Sequence, residues 1–199
     1  MSVTLRVACA QDAPALLAIY APYVRDTFIT FEYDVPDAAE FAERIGATLQ
    51  RYPYIVACGE DGTPIGYAYL GVFHARQAYD WTAETSIYVD RAARGMHVGT
   101  LLHEALEQAA RLQGLTNLDA CIAYPDEGGS AGFHERMGYR MVGRFEACGY
   151  KLGAWRDMVW MEKHIGEHVH PQPPILGIKQ IEKEAEEMLS PLIRRASGA

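Results

Sequence analysis

Seven residues, Arg94-Gly95-Met96-His97-Val98-Gly99-Thr100, join an alternating run, Glu84-Thr85-Ser86-Ile87-Tyr88-Val89, to LLHEALEQAARLQG. In that last stretch Leu101, Leu102, Ala105, Leu106, Ala109 and Leu112 recur at helical spacing. A glycine-bearing turn at a helix start offers unpaired backbone N–H groups and the positive end of the helix dipole. Such a turn suits an anion, and a pyrophosphate is its natural guest. Glu84 and His134 are candidate proton carriers by type. On residue type alone they read first as a strand-end carboxylate facing water and a polar residue on a helix face. Arg76 brings a planar fork matched to oxyanions. His164, His168 and His170 stand near no cysteine and no organised carboxylate set, so no metal site is expected there.

The elements that position these groups follow from local pattern. Thr4 to Ala8 reads as a first strand, and Asp12 caps a helix with Pro14 in its first turn. Asp37 starts a second helix that Pro53 ends. Tyr54 to Cys58 and Ile65 to Phe73 flank Glu60-Asp61-Gly62, a hairpin signal. The Glu84 strand and a helix from Val98 to Leu112, closed by Gly114, come next. Leu118 to Ala123 is a further strand. Asp126-Glu127-Gly128-Gly129-Ser130 opens a helix that ends at Gly138, and strands at Tyr139 to Phe145 and Met158 to Lys163 finish the pattern. Strands with helices between them indicate an α/β fold. Beyond it, Pro171-Gln172-Pro173-Pro174 is a stiff linker to a charged amphipathic helix over Ile178 to Arg195, with Ile178, Ile181, Ala185 and Met188 on its apolar side and Pro191 interrupting it.

The chain has 199 residues, a formal charge of −8 and 49% hydrophobic residues. That is enough for one full-sized domain with a core, and its acidity argues against a nucleic-acid partner. No apolar run reaches the roughly 20 residues needed to cross a bilayer. The N-terminus shows no signal-peptide pattern. Cys9, Cys58, Cys121 and Cys148 form no CxxC pair and read as reduced, mostly buried thiols, which fits the cytoplasm.

The order of these parts resembles the acyl-CoA-binding core of the Gcn5-related N-acetyltransferases (GNAT). The turn of that superfamily runs Gln/Arg-x-x-Gly-x-Gly/Ala; here Arg94 and Gly99 match and His97 replaces the first glycine. The unbroken run Ala78-Tyr79-Asp80-Trp81-Thr82-Ala83-Glu84, with His74 and Arg76 before it, resembles the phosphinothricin and methionine sulfoximine acetyltransferase branch. The resemblance covers roughly residues 3 to 164. It implies a mixed, mostly antiparallel central sheet flanked by helices, a GNAT domain over residues 1–165 and a separate linker and tail over 166–199. It implies acetyl-CoA as co-substrate, no metal, a small amine substrate and a homodimer.

Acetyl transfer to an amine requires that the amine lose a proton, that the thioester carbonyl be polarised, and that the departing thiolate be protonated. The resemblance assigns the first task to Glu84 as general base. It assigns the thioester and pantetheine to the strand backbone at Ile87, Tyr88 and Val89, and the pyrophosphate to Arg94, Gly95, Met96, His97, Val98, Gly99 and Thr100. The segment Phe133-His134-Glu135-Arg136-Met137-Gly138-Tyr139 resembles the superfamily motif whose tyrosine lies near the sulfur, with His134 in that tyrosine's place. Asp126 stands where many relatives carry a cofactor-contacting asparagine, in a loop one residue longer, and Ser130 is a further cofactor candidate. Phe31, His74, Arg76 and Tyr79 are the expected substrate residues, and the aromatic loops at Thr27–Pro36 and Trp155 suit the walls of a small pocket. Two rival functions remain open: acetylation of a protein or peptide amine, and an acyl-CoA sensor without turnover.

Overall fold

Seven strands form one sheet in the order β1-β2-β3-β4-β5-β7-β6. They are β1 (Thr4–Val7), β2 (Tyr54–Cys58), β3 (Pro64–Val72), β4 (Thr82–Val89), β5 (Asn117–Tyr124), β6 (Arg140–Lys151) and β7 (Ala154–His164). Among the described residues, four helices accompany them ahead of the C-terminal segment: α1 (Ala13–Asp26), α2 (Ala38–Leu49), α3 (Val98–Gln113) and α4 (Ser130–Arg136). The structure, a computed structural model, describes residues 3–181, 183 and 184. Every pairing is antiparallel except β4 with β5. The expected mixed, mostly antiparallel sheet flanked by helices is therefore present.

Two cores sandwich the sheet, and the alternation of side chains along a strand sends residues to each. On β2, Ile55 and Ala57 join the core under α3, whereas Tyr54, Val56 and Cys58 join the core under α1 and α2. The α3 stripe of Val98, Leu102, Ala105, Leu106 and Ala110 packs on one face. Leu16, Ile19, Tyr20, Phe41 and Ile45 cover the other. At Gly66 a Cβ would lie 3.1 Å from both the Tyr88 carbonyl oxygen and Val98 Cγ1. The missing side chain thus lets the start of α3 approach β3 and β4 closely.

Several expectations need correction. Asp12 stands at the α1 N-cap, but its carboxylate does not cap the helix. It accepts two hydrogen bonds from the Arg6 guanidinium, at 2.6 and 2.7 Å, and one from the Cys9 amide, because a bidentate cation outcompetes a neutral amide. Only Cys58 is buried; Cys9, Cys121 and Cys148 are exposed, because Cys121 lies on the open face of β5 and Cys148 in a register break of β6. Strand β6 runs to Lys151, beyond Phe145, since two irregularities let it follow β7.

The proline segment lies against the domain. Trp81 Nε1 donates to the Pro173 carbonyl at 2.7 Å, and the Leu176 amide donates to the Gln113 carbonyl at 2.7 Å. Residues 178–181, 183 and 184 are helical. The remainder of the expected tail helix, including Ala185, Met188 and Pro191, lies outside the described residues. Among the described residues no helix is long and apolar enough to cross a membrane.

Candidate active site

The site grows from a fork in the sheet. Strands β4 and β5 pair only at Thr82–Asn117, Ala83–Leu118 and Glu84–Asp119. Beyond that point β4 keeps its pairing with β3 as far as Val89, and β5 keeps its pairing with β7 as far as Tyr124. Thr85 Oγ1 donates to the Asp119 carbonyl at 3.0 Å and marks the crotch. A cleft of about 600 Å³ opens there, floored by both strands and walled by the loops after α1 and β5.

Glu84, Ile87, Tyr88, Arg94, Asp126, Ser130, His134 and Phe31 all line this cleft. Val89 and the turn from Gly95 to Thr100 adjoin it without lining it. The Val89 carbonyl already accepts a hydrogen bond from the Tyr23 hydroxyl. Gly95, Met96 and His97 are exposed, as an open turn at the head of α3 should be. His97 adopts φ +60° at the helix N-cap. The left-handed conformation that the family glycine takes freely therefore costs this chain about 1 kcal/mol or somewhat more. The turn geometry is retained despite the β-carbon.

Glu84 is half-buried at the crotch, and burial pushes its carboxyl above the ordinary carboxylate range. Because the charged form is the one that burial disfavours, the group becomes a stronger base than a surface glutamate. His134, on α4, is buried. Its Nδ1 lies 2.8 Å from the Ser130 carbonyl and so carries the proton, while Nε2 has no protein partner. Burial holds this imidazole below its usual range, against the opposing pull of the Ser130 bond and Asp126. At neutral pH Nε2 is consequently a proton acceptor. Cys121 is the one thiol among the described residues on the cleft floor. Although its surface is open to the cleft, the protein packed around it, then the Glu84 carboxylate and Cys148, push it up to about 12. It remains a thiol and a poor nucleophile.

Asp126 has a structural partner as well as a place in the lining: its Oδ2 accepts from the Ala131 amide at 2.7 Å, in the first turn of α4. The carboxylate thereby holds the helix that carries His134. Sequence reasoning missed Arg91, which lines the cleft with Arg94. Both guanidiniums lie over the Tyr23 ring, at 5.9 and 5.6 Å, with Arg91 opening the single turn Arg91–Ala93 and Arg94 following it. The repeated arginine three residues apart was the available signal.

The expected substrate residues divide between the cleft lining and the surface beside it. Phe31 lines the cleft, whereas His74, Arg76 and Tyr79 do not. In the loop after β3 the aromatic residues pack on one another. Phe73 contacts His74, Tyr79 and, on β7, Trp160. Trp155 also lies outside the lining and pairs with Tyr150. His164 and His168 pack ring against ring and bond to Glu162 and Asn117. Among the described residues no group of three His, Cys, Asp or Glu is arranged to hold a metal.

A sheet forked at its one parallel step, with a carboxylate in the crotch and a helix N-terminus beyond the open strand, defines the GNAT class of acetyltransferase. The acetyltransferase (GNAT) domain matches residues 5–160, and the chain belongs to that family. The chain is 32% identical over 179 residues to the phosphinothricin N-acetyltransferase of Streptomyces viridochromogenes, covering 90% of this chain and 96% of that one. It is 33% identical over 166 residues to the L-methionine sulfoximine/L-methionine sulfone acetyltransferase of Pseudomonas paraeruginosa, covering 83% and 96%. A phosphinothricin acetyltransferase from Sinorhizobium meliloti, solved with acetyl-CoA, superposes with a TM-score of 0.80 at 33% identity, covering 87% of this chain and 98% of that one.

Proposed function

We propose that this protein transfers acetyl from acetyl-CoA to the α-amine of a small amino-acid-like substrate of the phosphinothricin, methionine sulfoximine or methionine sulfone type. The relatives' names and the acetyl-CoA bound by the Sinorhizobium enzyme support that substrate pair. The observation that carries the mechanism is the Glu84 carboxylate, raised by burial at the crotch of the fork.

Acetyl-CoA brings an activated acyl group, and the chain supplies positioning and proton transfer. The pyrophosphate fits the free amides at the head of α3, with Arg91 and Arg94 beside it. The thioester arm fits the strand edge from Ile87 to Val89 that β5 leaves unpaired, where a backbone donor can stabilise developing negative charge. A free α-amine has a pKa of about 7.7–8.0 and arrives largely as ammonium. Glu84 accepts one proton, directly or through water, and frees the lone pair for direct attack. As the N–C bond forms and the C–S bond breaks, the nitrogen must lose a second proton and the sulfur must gain one. His134 Nε2, an acceptor at neutral pH, takes the former and delivers it to the thiolate. Net, the ammonium and the thioester become an amide, a free thiol and one released proton. The thiol state of Cys121 favours this direct route over a covalent acyl-enzyme.

A cytoplasmic homodimer completes the reading. Exposed Met141, Val142 and Phe145 on the edge strand β6 offer apolar surface for a second copy.

The test is release of CoA thiol with an amine panel at pH 8, comparing wild type with Glu84→Gln. Phosphinothricin, methionine sulfoximine, methionine sulfone, common amino acids and an N-terminal peptide belong in the panel. Saturable turnover of a small amine, lowered about 10²–10⁴-fold by the substitution, is expected. Turnover of the peptide alone overturns the substrate class, and a fully active variant overturns the role of Glu84.

A further inference from the structure

Glu84 belongs to a row of carboxylates. Asp119 is its register partner across the parallel step, Glu162 is the partner of Asp119 on β7, and Arg140 is the partner of Glu162 on β6. Residues level on neighbouring strands point to the same face, with Cβ atoms about 5 Å apart. Asp119 is 7% exposed and stands in an otherwise apolar strand segment. Among the described residues no cation forms an ion pair with it. Glu162 takes the nearby positive charge, bonding Arg140 at 2.6 Å and contacting His164 Nε2 at 3.2 Å. Asn117 also donates to Glu162, at 3.1 Å. The remaining ionisable neighbours are Cys121 on β5 and, beyond the crotch, Tyr69 on β3 and Tyr139 ahead of β6, whose hydroxyls are themselves held neutral by burial.

We propose that Asp119 takes over the proton that Glu84 removes from the amine and passes it toward solvent by way of Glu162 and the half-exposed His164. The inference rests on Glu84 being the base. Substrates filling the cleft cover Glu84 from the solvent side, so its proton needs an exit along the face of the sheet. Asp119 acts through Glu84 and touches no substrate. One proton moves per turnover, from the Glu84 carboxyl to the Asp119 carboxylate and then to water, and both groups return to their starting state.

Burial first, then the charges of Glu162 and Glu84, raise Asp119 to about 7, with His164 opposing. The repulsion between the pair falls on Asp119 because Glu84 ionises first, beside a still neutral neighbour. Asp119 is therefore the better proton sink of the two, and it is free to accept only once the pH exceeds about 7.

The experiment combines the pH profile of kcat at saturating substrate, for wild type, Asp119→Asn and Asp119→Glu, with carbon-13 carboxyl titrations of wild type and Glu84→Gln. The wild-type kcat should rise through an ionisation near neutrality. In Asp119→Asn that limb should move down by about one pH unit or more, with a several-fold lower plateau, and Asp119→Glu should restore part of it. The Asp119 carboxyl should titrate above the ordinary range and fall when Glu84 is replaced. An unchanged profile in folded Asp119→Asn overturns the relay, whether or not the titrations are coupled. A fully active Glu84→Gln enzyme removes the base itself, and the Asp119 titration then separates that failure from the absence of coupling.

Discussion

The imidazole of His134 is held by the Ser130 carbonyl one helical turn earlier, 2.8 Å from Nδ1, so its free nitrogen is a proton acceptor. In the proposed reaction this histidine has two available roles, acid and base, and this bond separates them. A standing acid would need a proton on Nε2, which burial opposes at neutral pH. His134→Ala should lower kcat by about 10²-fold, within the span of general acid–base catalysis, and leave the KM for acetyl-CoA near its original value. Thiol release under saturating conditions measures both, and an unchanged kcat removes His134 from the reaction.

Phe31 reaches the cleft because position 149 has no side chain. A Cβ there would stand 2.3 Å from Phe31 Cε2 and 2.8 Å from Cδ2 and Cζ. The ring must swing away to clear that overlap, while Lys151 pins its loop by donating to the Thr27 and Thr30 carbonyls, at 2.8 and 2.6 Å. Gly149→Ala should lower stability by about 1–3 kcal/mol, as overpacking does. It should also raise the KM for the amine while leaving that for acetyl-CoA unchanged. Thermal unfolding and steady-state kinetics test the two parts, and equal changes in both KM values would falsify the placement of Phe31 on the substrate side.

His103 gives stability a pH dependence of predictable sign. It is fully buried on α3, its Nε2 is 3.1 Å from the Tyr139 hydroxyl, and burial lowers it from 6.5 to about 4. As pH falls through 6.5 the unfolded chain takes up a proton that the folded chain refuses until about 4. Stability contributed by His103 is thus present above 6.5 and lost between 6.5 and 4, by about 3 kcal/mol at most. Asp119 has the opposite sign: its raised carboxyl binds a proton in the folded state first, so stability rises as pH falls through about 7. The two partly cancel, and the prediction concerns the difference between proteins. Between pH 6.5 and 4, His103→Gln should lose less stability than wild type, read as the gap between their melting temperatures.

Much of the site's frame was legible because its signals are local. The residues of α3 announce their helix by spacing, and Gly114 ends it with φ +86°. Asp37 caps α2 by accepting from the Glu40 amide, as its position suggests. Glu84, Arg94 and His134 reached the cleft because each sits within a short ordered motif. Asp12 shows the limit of such signals: a cap by sequence, it was captured by Arg6 from a neighbouring strand.

The sequence by itself determined the helices, the strands, the glycine-bearing turn before α3 and the resemblance that named Glu84. These depend on side-chain period, caps and glycine positions within a few residues of one another. Only the tertiary structure decided where the sheet forks, which strand Asp119 faces, and that His74, Arg76 and Tyr79 stand outside the cleft lining. Glu84 and Asp119 become level neighbours only through long-range pairing. A strand's own alternation does not specify its partner or its register. Proton affinities follow the same rule, since burial and neighbouring charge exist only once distant segments have met.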